Sequence, residues 1–252
     1  MLAPLAFAQA PTITPPNISF LDNRRAPEIQ VGAGFSVLVP HVQVGWLGTG
    51  TGGGVTSTFS NAQVMPTLGI AVPLTTFNGG ATPIGLGISG HLLIPTEGTS
   101  TRNVTAGGFS GTESFKQGVA GDLLLNANFD IREGFFETRV PFRDTELFAG
   151  VGAAFNHFRA SDVFPAAADN FEVSHTDVVP AFQVGTIIRL VGGASIVLVI
   201  KDFLPGTTVT MPGGGPVSYG TAKAGNTLGF TGKVAIPLGG TDNCPAFDQS
   251  CH

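Results

Sequence analysis

Five histidines, at positions 41, 91, 157, 175 and 252, are the side chains best suited to move protons near neutral pH, and they are scattered along the chain. His91 follows Ser89 by two residues on one face of an alternating segment, so an acyl-transfer pair can be drawn there. The plainer reading is a satisfied interior polar group, and no catalytic residue is assigned. Asp122, Arg189, Lys201 and Lys233 are single ions on faces otherwise made of Gly, Ala, Ser, Thr and Asn. With Asn126 and Gln183 they are expected to form a polar network in an enclosed interior. Such a network is either a plug that neutralises buried charge or a gate on a narrow polar path. Cys244 and Cys251 have six residues between them and could close a disulfide loop in an oxidising compartment, with free thiols as the alternative. His252 is the only other ligand of the right kind nearby, so no metal site is assigned.

Two glycine-rich stretches, 48–53 and 85–90, match the spacing G-x-G-x-x-G. Neither opens a helix after a strand, and a chain with 36 Gly produces such matches by chance, so no nucleotide cofactor is expected. Charged residues make up only 12% of 252 positions, about half the usual share, while Gly is about twice its usual ~7%. That composition excludes a coiled coil or helical bundle, and its Phe, Val, Ile and Leu content excludes a disordered chain. A net charge of −5 without a basic run argues against nucleic acid as a partner.

The elements that must position these groups are strands. Period-two alternation marks eight of them, over residues 29–46, 64–74, 84–94, 119–129, 147–155, 178–190, 195–203 and 228–238. In the fourth, Val119, Leu123, Leu125 and Phe129 share one face while Ala120, Asp122, Leu124 and Asn126 share the other. In the first, the apolar phase flips at Pro40-His41, from Phe35, Val37 and Val39 to Val42, Val44 and Trp46, which predicts a bulge or strand break. Long connections rich in Gly, Thr, Ser and Pro, at 48–63, 96–118, 157–176 and 204–226, alternate with mostly shorter ones. The stretch 130–146 is irregular and could add a hairpin, so ten strands is the alternative count.

The apolar faces repeat strand after strand and carry no Lys or Arg at their centres, where one would cost about 2–4 kcal/mol in hydrocarbon. The opposite faces are small and polar, which suits the inside of a narrow barrel. Strands of 9 to 11 residues match a tilted bilayer span. The expected fold is therefore all-β, a closed antiparallel up-and-down transmembrane β-barrel. Residues 1–8 read as the remnant of a signal peptide, 9–28 as a linker, 29–238 as the barrel and 239–252 as a tail.

The layout resembles the eight-stranded outer-membrane β-barrels of Gram-negative bacteria, relatives of the membrane domain of outer-membrane protein A. The segments that carry the resemblance are Leu147-Phe148-Ala149-Gly150-Val151-Gly152-Ala153-Ala154-Phe155, Val184-Gly185-Thr186-Ile187-Ile188-Arg189-Leu190 and Asn226-Thr227-Leu228-Gly229-Phe230. The resemblance implies an outer-membrane location, with outer-membrane lipid as partner, termini in the periplasm and long loops outside that could meet a surface ligand. Ser60-Asn61-Ala62 is faintly similar to the catalytic strand of outer-membrane lipid A deacylases, but Thr58 stands where that family has a His, so no activity is carried over. The expected function is a non-enzymatic outer-membrane barrel with a structural or surface-interaction role and a largely plugged lumen. The alternatives are a small transport barrel for apolar or small solutes and a secreted, soluble lipocalin-like or sandwich binding protein.

Overall fold

A computed structural model describes residues 17–19, 29–48, 55–78, 84–96, 98–106, 109–130, 142–164, 169–190, 194–212 and 217–238. They form strands only: β1 (Asn17–Ser19), β2 (Ile29–Gly48), β3 (Val55–Phe59), β4 (Gln63–Asn78), β5 (Ile84–Leu93), β6 (Thr99–Ala106), β7 (Phe109–Asp130), β8 (Phe142–Phe164), β9 (Asp169–Leu190), β10 (Ser195–Phe203), β11 (Thr208–Pro212) and β12 (Val217–Leu238). Hydrogen-bonded pairs run β2-β4-β5-β7-β8-β9-β10-β12, and β12 pairs back onto β2, so eight antiparallel strands close a ring. Each of the eight predicted segments supplies one of them. Of the stretch 130–146 read as irregular, residues 131–141 lie outside the described residues and 142–146 open β8; the predicted signal remnant and the two-cysteine tail also lie outside them. Within the stretch read as a linker, β1 adds to the end of β4, pairing Asn17 with Asn78.

The long connections beyond the predicted spans are largely strand. β7, β8, β9 and β12 each run for 22 or 23 residues, about 70 Å of extended chain, where a bilayer needs only 9–11 residues. β3 continues β4 along β2, β6 continues β5 along β7, and β11 continues β10 along β12. The strands thus make two storeys, and the hydrogen-bonded ring closes in the proximal one, since among the described residues β3 does not pair with β6 nor β9 with β11. The proximal one contains the Ile29–Leu238 pair, and the distal one is built from β2, β3, β6, β7, β8, β9, β11 and β12. Three strands break at the boundary, at residues 60–62, 94–98 and 204–207, and five pass through it.

The storeys are inverted in polarity, and this explains the apolar phase flip in the first strand. β2 is continuous and keeps its alternation. In the proximal storey apolar side chains point outward, with Phe35 62%, Leu123 63%, Val184 54% and Val234 56% exposed. In the distal storey Val42, Val44, Phe59, Phe115, Phe158 and Val173 point inward and form one buried cluster, while His41, Thr58, Thr112, Arg159, Glu172 and Lys223 are exposed. Pro40-His41 therefore marks a change of surroundings. The bulge lies on the neighbouring strand, between Ala224 and Thr227, opposite the step from Pro40 to Val42. A second register shift, between Gln117 and Ala120, moves the inward phase of β7 from odd to even residues.

The exposed belt decides how the fold meets its surroundings. Residues 29–39, 64–74, 119–129 and 228–238 each present an uncharged apolar row outward. Water would disfavour such a cylinder and hydrocarbon favours it. Closure also pairs backbone groups that lipid could not solvate. Among the described residues no helix is long and apolar enough to cross a membrane, and the strands do so instead.

Candidate functional site

The proximal lumen is an interlocked polar core. His91 and Asp122 face each other across β5 and β7, with Nδ1 and Oδ1 2.6 Å apart. Lys201, on β10, reaches across the lumen and donates from Nζ to Asp122 Oδ2 at 2.5 Å. Lys233, on β12, brings Nζ to 2.7 Å from His91 Nε2. Both histidine contacts are satisfied together when Nδ1 carries the proton and donates to Asp122 while Nε2 accepts from the ammonium. Four strands are thereby tied by one chain of side chains, and each of these residues is at most 8% exposed.

Glycines make the long reach of Lys233 feasible. A Cβ on Gly34 would lie 2.7 Å from Lys233 Cβ, one on Gly32 3.2 Å from its Cδ, and one on Gly69 2.9 Å from its Nζ. The side chain therefore lies in a trough of three glycines from β2 and β4 and ends on His91. A β-carbon at Gly69 would also meet the His91 ring at 2.8 Å. This is close approach between a side chain and a bare backbone, one physical use of glycine within a sheet.

Two further polar groups lie alongside. Asn126 and Gln183 both donate to Ser89 Oγ, at 2.8 and 3.0 Å, and Gln183 also donates to Asn126 Oδ1 at 2.5 Å. Gly150 leaves the space this requires, since a Cβ there would collide with Asn126 Oδ1. Ser36 Oγ sits 2.6 Å from both Thr67 and Thr231. Buried apolar clusters lie around these groups. Leu38, Met65, Leu93 and Ala120 form one, Leu124, Val179, Ala181 and Phe203 belong to another, and Phe148, Ile187, Val197 and Val199 belong to a third.

The six residues predicted to line the interior fall into three places. Lys201 bonds Asp122 directly and Lys233 joins it through His91, while Asn126 and Gln183 join through Ser89. Arg189 lies apart near the proximal end, where its Nε and Nη2 donate to Glu146 Oε1 at 2.9 and 2.8 Å. Ser89 and His91 do not form a nucleophile–base pair, because both histidine nitrogens are already engaged by Asp122 and Lys233. Sequence reasoning missed Glu146, and it gave His91 no role in linking Lys233 to Asp122.

In the distal storey, Phe59 stacks on Phe115 and Phe158 packs tilted against Phe115, with centroids 5.9 and 6.3 Å apart. His175 meets Phe158 edge-on at 5.8 Å. Asp177 holds the β10–β11 break against β9, accepting from the Thr207 amide at 3.1 Å and from its hydroxyl at 2.8 Å. Beyond the aromatic stack, Glu113 and Asp162 face each other across β7 and β8. Both are fully buried, and neither carboxylate has a hydrogen-bond partner.

This architecture is that of the small eight-stranded outer-membrane β-barrels. No family model matches the sequence, and no curated protein matches it. Among solved structures, the outer membrane protein OprG from Pseudomonas aeruginosa aligns with a TM-score of 0.53 at 13% identity, covering 85% of this chain and 97% of that one. Ail, the attachment invasion locus protein of Yersinia pestis, aligns at 0.37 and 11% identity over 84% of this chain and 100% of that one. The outer membrane protease OmpT from Escherichia coli aligns at 0.41 and 9% over 84% and 97%. The likeness to OprG is one of fold.

Proposed function

We propose that the chain is a non-enzymatic barrel of the bacterial outer membrane, with a lumen closed by its own side chains and a structural or surface-interacting role. The observation that carries this reading is the transverse chain Lys201–Asp122–His91–Lys233, flanked by apolar layers, in a cylinder whose eight strands leave room for little besides side chains. Every member has a partner, as expected of a packed core. The distal storey, with a Ser- and Thr-rich outer surface, stands beyond the lipid belt and is the part that could meet a ligand outside the cell. Planar-bilayer recording of the purified protein tests the reading. No steady channels are expected, and a stable unitary conductance would overturn the plugged lumen.

One observation favours a second reading, transport of small apolar solutes. An apolar concavity of about 830 Å³ opens in the belt, lined by Phe35, Phe129, Leu147, Val184, Leu198 and Phe230 among others. Uptake of an apolar fluorophore by proteoliposomes, measured against protein-free vesicles, separates the two. Equal rates support the structural role, and protein-dependent uptake supports transport.

A further inference from the structure

The distal storey contains one pair of ionisable groups that its packing leaves unexplained. Glu113 on β7 and Asp162 on β8 are register partners with inward-facing side chains, both at 0% exposure. No oxygen of either carboxylate accepts a hydrogen bond. One inward step below them lie Phe115 and Ala160, members of the aromatic cluster. Two adjacent carboxylates in such surroundings cannot both stay ionised without a compensating positive charge.

The charged groups on the packed elements supply little of it. Arg102, on β6, is the register partner of Glu113 on the same face of the sheet, but it is exposed and offsets the burial of Glu113 only in part. Lys116 on β7, Arg159 on β8, Glu172 on β9 and Lys223 on β12 sit on the outward phase of their strands. His175 and Asp177 point inward but lie beyond Phe158, bonded to each other and to Thr207. β3 contributes Ser57, and the described side chains of β2 and β11 contribute no inward charge. No third His, Cys, Asp or Glu joins the pair among the described residues. Two carboxylates and a hydroxyl fall short of the six to eight oxygens that a calcium-type ion takes. A proton is the positive charge that fits.

We propose that Glu113 and Asp162 form a proton-held latch, sharing a proton between β7 and β8, and that the distal storey loosens around its aromatic stack when that proton leaves. The electrostatics agree with the geometry. Burial, and then the neighbouring Glu113 carboxylate, push Asp162 up to about 8. Burial also raises Glu113, opposed by the Ser57 hydroxyl and by Arg102. The sign follows from linkage. Both groups keep protons in the folded state that they would release in the unfolded one. Their contribution is therefore fully present below the ordinary carboxylate range; the Asp162 part is lost as pH rises through about 8, and the Glu113 part as pH rises through its own raised range. Mild acid should tighten this storey, the reverse of ordinary acid denaturation.

Hydrogen exchange of the full chain in detergent micelles, corrected for intrinsic rates, tests the latch. Peptides from the distal halves of β7 and β8 are compared with peptides from their belt halves in the same sample. Between about pH 5.5 and about pH 9, distal protection should fall about tenfold or more while belt protection holds. E113Q should shrink the fall, because Asp162 loses the charge that opposes it. The double variant E113Q/D162N should flatten it. Wild-type distal protection that does not change with pH would overturn the proposal, as would a double variant that keeps the full dependence. Added calcium that restores distal protection at high pH would also overturn it, by assigning the pair to a cation.

Discussion

Lys233 Nζ stands 2.7 Å from His91 Nε2, so an ammonium group carried along the lumen wall over β2 and β4 meets the edge of the ring turned away from Asp122. His91 is thus the middle of the polar core, although a lone histidine beside a serine first invites a catalytic reading. Removing one partner from a buried charged pair costs about 3–5 kcal/mol. His91→Ala should destabilise the barrel by that order, seen as a lower urea midpoint in detergent. His91→Gln should recover part of the loss, because its amide can donate to Asp122 and accept from Lys233 at once.

The glycine trough makes a sharper prediction, because it concerns a residue without a side chain. Gly69→Ala places a methyl group within 3 Å of Lys233 Nζ and the His91 ring. The ammonium must move off the ring, and stability should fall by about 1–3 kcal/mol through the lost charged hydrogen bond. Combining Gly69→Ala with Lys233→Met should cost less than the sum of the two, as a double-mutant cycle would measure. Additive costs would remove Gly69 from this role.

The belt can be mapped by charge. Leu123 points outward in the proximal storey and Thr112 points outward in the distal one. Leu123→Arg should cost about 2–4 kcal/mol in lipid vesicles, and Thr112→Arg should be near neutral. Equal costs would show that the belt does not sit in hydrocarbon.

Phe158 stands between Phe115 and His175 in the distal aromatic row and is fully buried. Phe158→Ala should cost about 3–5 kcal/mol of local stability. Distal β7 and β8 amides should lose exchange protection while belt amides keep theirs. Equal loss in both storeys would show that they unfold as one unit.

The belt half of the fold was legible in the sequence because lipid imposes a simple rule there. Segments such as 119–129 and 228–238 place large apolar residues at every second position, and only one register satisfies hydrocarbon on one side and a narrow lumen on the other. The distal half was hidden by its mixed composition. Its Gly, Ser and Thr read as loop, and its apolar residues occupy the phase opposite to that of the belt, so Val42 and Val44 looked like a fault in the strand.

Asp162 could have been found. The even residues of β8 point inward from Phe148 through Ala154, Phe158 and Ala160 to Asp162, apart from Gly152. Glu113 could not, because the register shift before Ala120 moves its phase. The partition of the interior ions was equally illegible. Which lysine reaches which partner depends on side-chain reach across strands far apart in the chain, as Lys201 shows by bonding to Asp122 from β10.

Five strands cross the boundary between storeys without interruption, and their ladder bonds lie perpendicular to the strand direction. A tug on the tips therefore acts along the strands. Many rungs share the load at once in shear, instead of being unzipped singly. Whatever grips the far end of this molecule pulls directly on the part anchored in the bilayer, through five continuous staves of which only β7 and β12 carry a bulge at the boundary.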